Sequence, residues 1–216
     1  VTAALDHLVV AAATLDDGVA WCEATLGVVP DGGGRHALMG THNRLLATGG
    51  DAFPQSYLEI IAVDPDAPAP VRVRWFGLDD PWLQQRLRRH GPQLVHWVAR
   101  TDALDARRAA LARLGVDPGA IVAAQRGTLR WRITLRDDAR RFAAGAWPLW
   151  IEWDGAHPTA TLPARGVALR AFAVGGVPLS AADALDVPGV TVHERGAPLL
   201  AVLETPRGVV ELTGGA

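Results

Sequence analysis

The sequence predicts an α+β fold of tandem βαβββ modules that form a cupped mixed sheet with helices on its outer face, plus a degenerate third module. Two observations carry this. The order strand, helix, three strands occurs twice in succession and then a third time in shortened form. The first two copies also share a chemical pattern. Each has a histidine in its opening strand and a glutamate in its closing strand, 52 residues apart for His7 and Glu59 and 56 for His96 and Glu152. The boundaries that follow are 1–160 for the paired modules (1–64, a connector 65–93, and 94–160) and 161–216 for the third.

In module one, the first ten residues alternate as a strand, with Leu5, His7 and Val9 on one face. Thr14 caps a helix from about Leu15 to Leu26, which Gly27 ends. Asp31–Gly34 reads as a turn, and its glycines match no nucleotide fingerprint. His36–Met39 and Thr41–Thr48 read as short strands, and Tyr57–Val63 as a strong one. The connector is Pro-rich and then amphipathic around Trp82–Arg89, so it carries one helix. In module two, Leu94–Ala99 is a strand. Asp102 caps a helix with the stripe Leu104, Leu111 and Leu114, residues 120–125 read as a strand, Leu129–Leu135 alternates, and Pro148–Trp153 closes the copy. The third copy reads as strands 169–174, 190–194, 199–204 and 208–212 with a short helix over Ser180–Leu185. Ala171 stands there in the place of the histidine.

Bulk composition narrows the function. All 21 basic side chains are arginine, so Schiff-base chemistry and a P-loop are excluded. The absence of lysine fits the coding bias of a GC-rich bacterial genome. A net charge of -2 argues against a nucleic-acid partner. No apolar run approaches a membrane span, and the N-terminus has no basic leader, so a cytoplasmic location without membrane contact is expected. Cys22 lies on the apolar stripe of the first helix and reads as core.

His offers a neutral nitrogen and Glu an anionic oxygen. Two such pairs suit a divalent Ni, Co, Zn, Mn or Fe ion with positions left for substrate oxygens. The candidate ligands are His7, Glu59, His96 and Glu152, with Glu59 and Glu152 as proton carriers. Tyr57, Glu59 and Ile61 share a face, as do Trp150 and Glu152, and a carboxylate among apolar neighbours is costly unless paired or bound. Each histidine taken alone also reads as a satisfied structural side chain, and each glutamate as an arginine partner. His42 and Asn43 read either as contacts into the cup or as turn residues. Arg130 and Arg132 grip an anion if their face lines the cup, and are surface residues if it meets solvent. The eight tryptophans read as core or cup wall, with Trp131, Trp150 and Trp153 also candidate contacts for an apolar substrate.

The stretches Leu-Asp-His-Leu-Val-Val, Thr-Leu-Gly, Gly-Gly-Arg-His-Ala-Leu-Met-Gly-Thr-His-Asn and Tyr-Leu-Glu-Ile-Ile resemble the glyoxalase-like group of the vicinal oxygen chelate superfamily. The match is close over 3–63 and looser over 91–160. The resemblance implies metal ligands on the first and last strands of paired modules, here His7, Glu59, His96 and Glu152. It also implies a metal-dependent lyase, isomerase or dioxygenase acting on a small substrate with vicinal oxygens. Glutathione dependence is not implied, because the connector is long. The alternative is a metal-free protein that sequesters a small molecule, as bleomycin-resistance members do. An odd module has sheet edges to protect, so homodimer pairing is also an expectation.

Overall fold

The computed structural model describes every residue except 1, 178–181, 183 and 216. Module one runs β1 (Ala3–Ala11), α1 (Leu15–Leu26), β2 (Asp31–His36), β3 (Thr41–Ala47) and β4 (Tyr57–Val63). The connector contains a short 3-10 turn at Trp75–Gly77 and α2 (Pro81–His90). Module two runs β5 (Gln93–Thr101), α3 (Leu104–Arg113), β6 (Ala120–Arg126), β7 (Leu129–Leu135) and β8 (Leu149–Asp154). β9 (Ala168–Gly175), β10 (Val190–His193), β11 (Leu199–Thr205) and β12 (Gly208–Gly214) complete the chain.

Local chemistry explains most helix ends. The Thr14 side chain accepts the Asp17 backbone N–H, Asp16 and Asp17 sit in the first turn of α1, and Gly27 closes it in the left-handed conformation (φ 78°). Asp80 caps α2 ahead of Pro81, and Arg88, Arg89 and His90 occupy its last turn. α3 departs from expectation. Asp102 does not cap it; its carboxylate accepts the Thr2 backbone N–H at 3.0 Å instead.

The modules pair through β1 and β5, which run antiparallel. Each module repeats one order outward: β1-β4-β3-β2 on one side and β5-β8-β7-β6 on the other. The outer strands β2 and β6 then meet across the mouth, so the sheet curls into a cup. Two apolar cores lie on its two faces. On the convex side Leu8, Val10, Leu58, Ile60 and Trp150 join α1, α3 and the third module, with Trp97 edge-on to Phe172. On the concave side Val9, Ile61, Trp131 and Ile133 pack against Trp75, Phe76 and the buried Leu83 and Leu87 of α2. The connector is therefore a plug inserted into the cup.

Two expectations change. The glycine run is not a turn: Gly32–Gly34 lies within β2, paired to β3, and the turn falls at residues 37–40. The strand read over His36–Met39 therefore ends at His36. The third copy keeps the order of strands but not their wiring. Its opening strand β9 pairs with β10 in parallel and β11 in antiparallel, whereas β1 pairs with β4. β12 touches β5 through the single Gly214–Leu94 register pair. The helix expected over Ser180–Leu185 falls largely outside the described residues. No described helix is long and apolar enough to cross a membrane.

Candidate functional site

Four strands of module one aim a polar side chain each into the cup: His7 from β1, His36 from β2, Asn43 from β3 and Glu59 from β4. All four are buried. Asn43 organises the group. Its Oδ1 accepts the Gly34 backbone N–H at 3.0 Å, so its Nδ2 must face the other way, where it donates to Glu59 Oε1 at 2.5 Å. His7 Nε2 stands 3.6 Å from Glu59 Oε2, and His36 Nε2 4.0 Å from Oε1. The void between these groups is about 20 Å³, enough for one water molecule or the tip of a ligand. Gly33 makes the arrangement possible: a Cβ there would lie 2.1 Å from the Asn43 carbonyl oxygen. Gly33→Ala is expected to lower stability by about 1–3 kcal/mol by overpacking this strand pair. A urea midpoint equal to that of the parent protein would refute this.

His7 is oriented by its neighbour in sequence. Strict alternation would send Asp6 to the other face, but the β1–β5 register slips between Leu5 and His7, a bulge that re-aims the side chain. Asp6 Oδ1 lies 2.6 Å from His7 Nδ1, while Asp6 Oδ2 accepts from Trp153 Nε1 at 2.9 Å and sits 3.0 Å from His157 Nε2. Burial opposes ionisation of Asp6, but the hydrogen bonds and charges of His157 and His7 outweigh it and hold the carboxyl well below its ordinary range. An ionised Asp6 accepts the His7 Nδ1 proton, which directs Nε2 at Glu59. His36 stays neutral: burial first, then the charges of Arg126, His7 and His42, lower its pKa to about 3.

The other residues singled out by sequence lie elsewhere. His96 is buried on the concave side, but the Phe76 ring lies tilted against it with centroids 5.4 Å apart, and the imidazole Nδ1 engages the Trp97 backbone. It is not part of the chamber wall. Burial lowers its pKa to about 4, against the opposing Trp97 backbone hydrogen bond, so it too is neutral. Glu152 does share a face with Trp150, and it is the convex face. The register sets Leu149 beside Val98, which points β8 residues 149, 151 and 153 into the cup and 150 and 152 out of it. Glu152 pairs there with Arg132, which also binds Asp105 of α3 at 2.8 Å. Arg130 shares that exposed outer side of β7. Trp150 is fully buried beneath the Arg107 guanidinium at 4.3 Å. His42 alternates with Asn43 and so faces away from it, within the field of Asp16 in α1. Of the predicted set, the structure brings together His7, Glu59 and Asn43.

The donors do not fit the four-ligand metal centre. His7, Glu59, His96 and Glu152 do not converge, and among the described residues no group of three or more His, Cys, Asp or Glu side chains could hold an ion. The residues at or behind the chamber that sequence did not single out are His36 and Arg126 in its wall and Asp6 and His157 behind His7; Trp131 and Trp153, candidate contacts, do line it. Asp6 adjoins a singled-out histidine, and His36 lies seven residues before Asn43 in a two-stranded hairpin. Those were the available signals; Arg126 and His157 had none.

A family model described as a glyoxalase-like domain matches residues 5–186. No curated protein matches the chain. Among solved structures, a hypothetical protein from Staphylococcus aureus aligns with a TM-score of 0.58 at 14% identity, covering 99% of this chain and 86% of its own. That likeness shows a shared fold. Methylmalonyl-CoA epimerase from Mycobacterium tuberculosis aligns with a TM-score of 0.44 at 23% identity, over 73% of this chain and 91% of its own. The family model spans both modules and most of the chain, whose strands pair as two matching βαβββ units around a cup; the chain belongs to the glyoxalase-like domain family.

Proposed function

We propose that this chain is an enzyme that moves a proton on a small substrate carrying adjacent oxygens, with Glu59 as the base. One observation carries the reading: a buried carboxylate faces the Nε2 of a histidine whose Nδ1 is held by a second buried carboxylate. Glu59 takes a proton from the carbon beside a carbonyl, and the electron pair moves onto the carbonyl oxygen. The proton then returns to the opposite face of the same carbon, which inverts it, or to the neighbouring carbon while the hydroxyl proton passes to the former carbonyl oxygen, which isomerises the substrate. The Asn43 amide N–H fixes one oxygen of Glu59, and His7 Nε2 faces the other. The Asp6–His157 contact links His7 to the outside cleft, giving a path for exchange with solvent. The four-donor metal set does not fit the chamber.

The test uses chelator-treated protein in D2O with a panel of small 2-hydroxy acids, 2-oxo acids and acyl thioesters. Deuterium is expected to enter the carbon beside the carbonyl without added metal. Exchange that appears only on addition of Ni, Co, Zn, Mn or Fe would overturn the metal-independent reading. A second reading, metal-free sequestration, is favoured by the Glu152–Arg132 pair and by a groove of about 710 Å³ walled by Trp131 and Trp153. Saturable binding with no exchange under any condition would decide for it.

A further inference from the structure

The chamber is too small for a substrate, so the body of the ligand must lie outside it. A cleft of about 420 Å³ opens between the glycines of β2, the β6–β7 turn and residues 156–162. Its volume suits a small organic molecule. One side chain lines both the cleft and the chamber: Arg126, at the end of β6. Its stem lies over Gly34, where a Cβ would come within 2.8 Å of Arg126 Cδ, so the bare glycine backbone is what lets the arginine reach the mouth. The arginines of the described ion pairs are Arg35, Arg72, Arg74, Arg132, Arg136, Arg165 and Arg170; Arg126 is not among them. Arg126 is half-buried and lines the chamber together with His36 and Tyr57.

We infer that Arg126 is the anchor for a substrate carboxylate, and that the substrate is a small acid with an oxygen on the carbon next to that carboxylate. The guanidinium grips a carboxylate through two parallel hydrogen bonds, which fixes the orientation of the whole molecule. A carboxylate held at the boundary leaves the adjacent carbon and its oxygen to enter the chamber, where one water-sized space remains beside Glu59. The rest of the molecule stays in the cleft, beside Thr128 and Thr161. This inference names the substrate class for the proton-transfer reading and rests on it, but it is tested by binding alone.

The experiment titrates L-lactate, pyruvate, inorganic phosphate and uncharged lactamide into the chelator-treated chain, following the ring resonances of His36 and His157 by NMR. Lactate and pyruvate are expected to bind saturably, and lactamide not to. Arg126→Gln is expected to weaken the two acids by about tenfold to a hundredfold, the loss of a charge-assisted contact. Arg126→Lys should retain part of the affinity, and Arg130→Gln, on the outer side of β7, should leave it unchanged. Equal affinity for the acids in the parent and Arg126→Gln would overturn the proposal. So would lactamide binding as well as lactate, or phosphate binding where neither acid does. Glu59→Gln provides the separation: bound acid with no exchange there leaves the anchor standing, while a failed anchor with intact exchange leaves the base standing.

Discussion

Glu59→Gln is expected to lower solvent-deuterium exchange into the substrate by about 10²–10⁴-fold, the usual worth of a positioned base. Glutamine has the shape of glutamate, and its amide oxygen can still accept the Asn43 Nδ2 hydrogen bond that now runs at 2.5 Å. The loss should therefore fall on turnover and not on the fold. The amide cannot take a proton from carbon, and it removes the acceptor that faces His7 Nε2. Substrate affinity should change far less than turnover, because the contact holding the substrate lies at Arg126, at the boundary of the chamber. Exchange rates in Glu59→Gln within a few-fold of the parent would place the base elsewhere.

The second large effect is acid lability. Stability should fall by several kcal/mol as the pH drops from about 6.5 toward 4, a window that opens above the ordinary range of the carboxylates. The sign follows from the direction of the shifts. Burial lowers His36 to about 3 and His96 to about 4, so both remain neutral in the folded chain while the unfolded chain gains protons below about 6.5. The unfolded state then binds more protons, and each histidine contributes a slope of about 1.4 kcal/mol per pH unit until its folded pKa is reached. Asp6 acts in a separate, lower window. Its folded pKa is depressed, so its contribution is complete above the ordinary value of 3.8 and is lost only as the pH falls below that. Urea midpoints measured across this range for the parent, His36→Gln and His96→Gln decide the matter. Each substitution should flatten the curve above pH 4, and curves as steep as the parent's would refute the assignment.

Much of the site was legible at the level of strand identity. Glu59 sits on a regular strand of module one, where alternation places it; His7 shares a face with Val9 as expected, but the bulge before it sends Leu5 to the opposite core, and Asn43 was within the flagged stretch. Module two failed at a single step. Trp150 and Glu152 do share a face, but period-two alternation is symmetric and does not say which face is concave. That is decided by the register of β8 on β5 and by Arg132 and Asp105 holding Glu152 on the convex side. His42 was misplaced by the same ambiguity. Asp6 was missed because its bulge breaks the alternation on which the reading depended.

By itself, the sequence determined the repeated βαβββ order and both ends of α1, because these depend on local propensity, and the repeat pointed to His7 and Glu59 as a pair. Tertiary structure alone decided which residues surround that pair. The connector inserts Trp75 and Phe76 into the cup, and Phe76 against His96 keeps that histidine out of the chamber. The meeting of β2 and β6 brings Arg126 to Gly34, residues far apart in the chain. The turn after β8 carries His157 to Asp6 across 151 positions. Such contacts are set by how the sheet closes and what fills it, and closure depends on packing over the whole cup, which no local window of sequence contains.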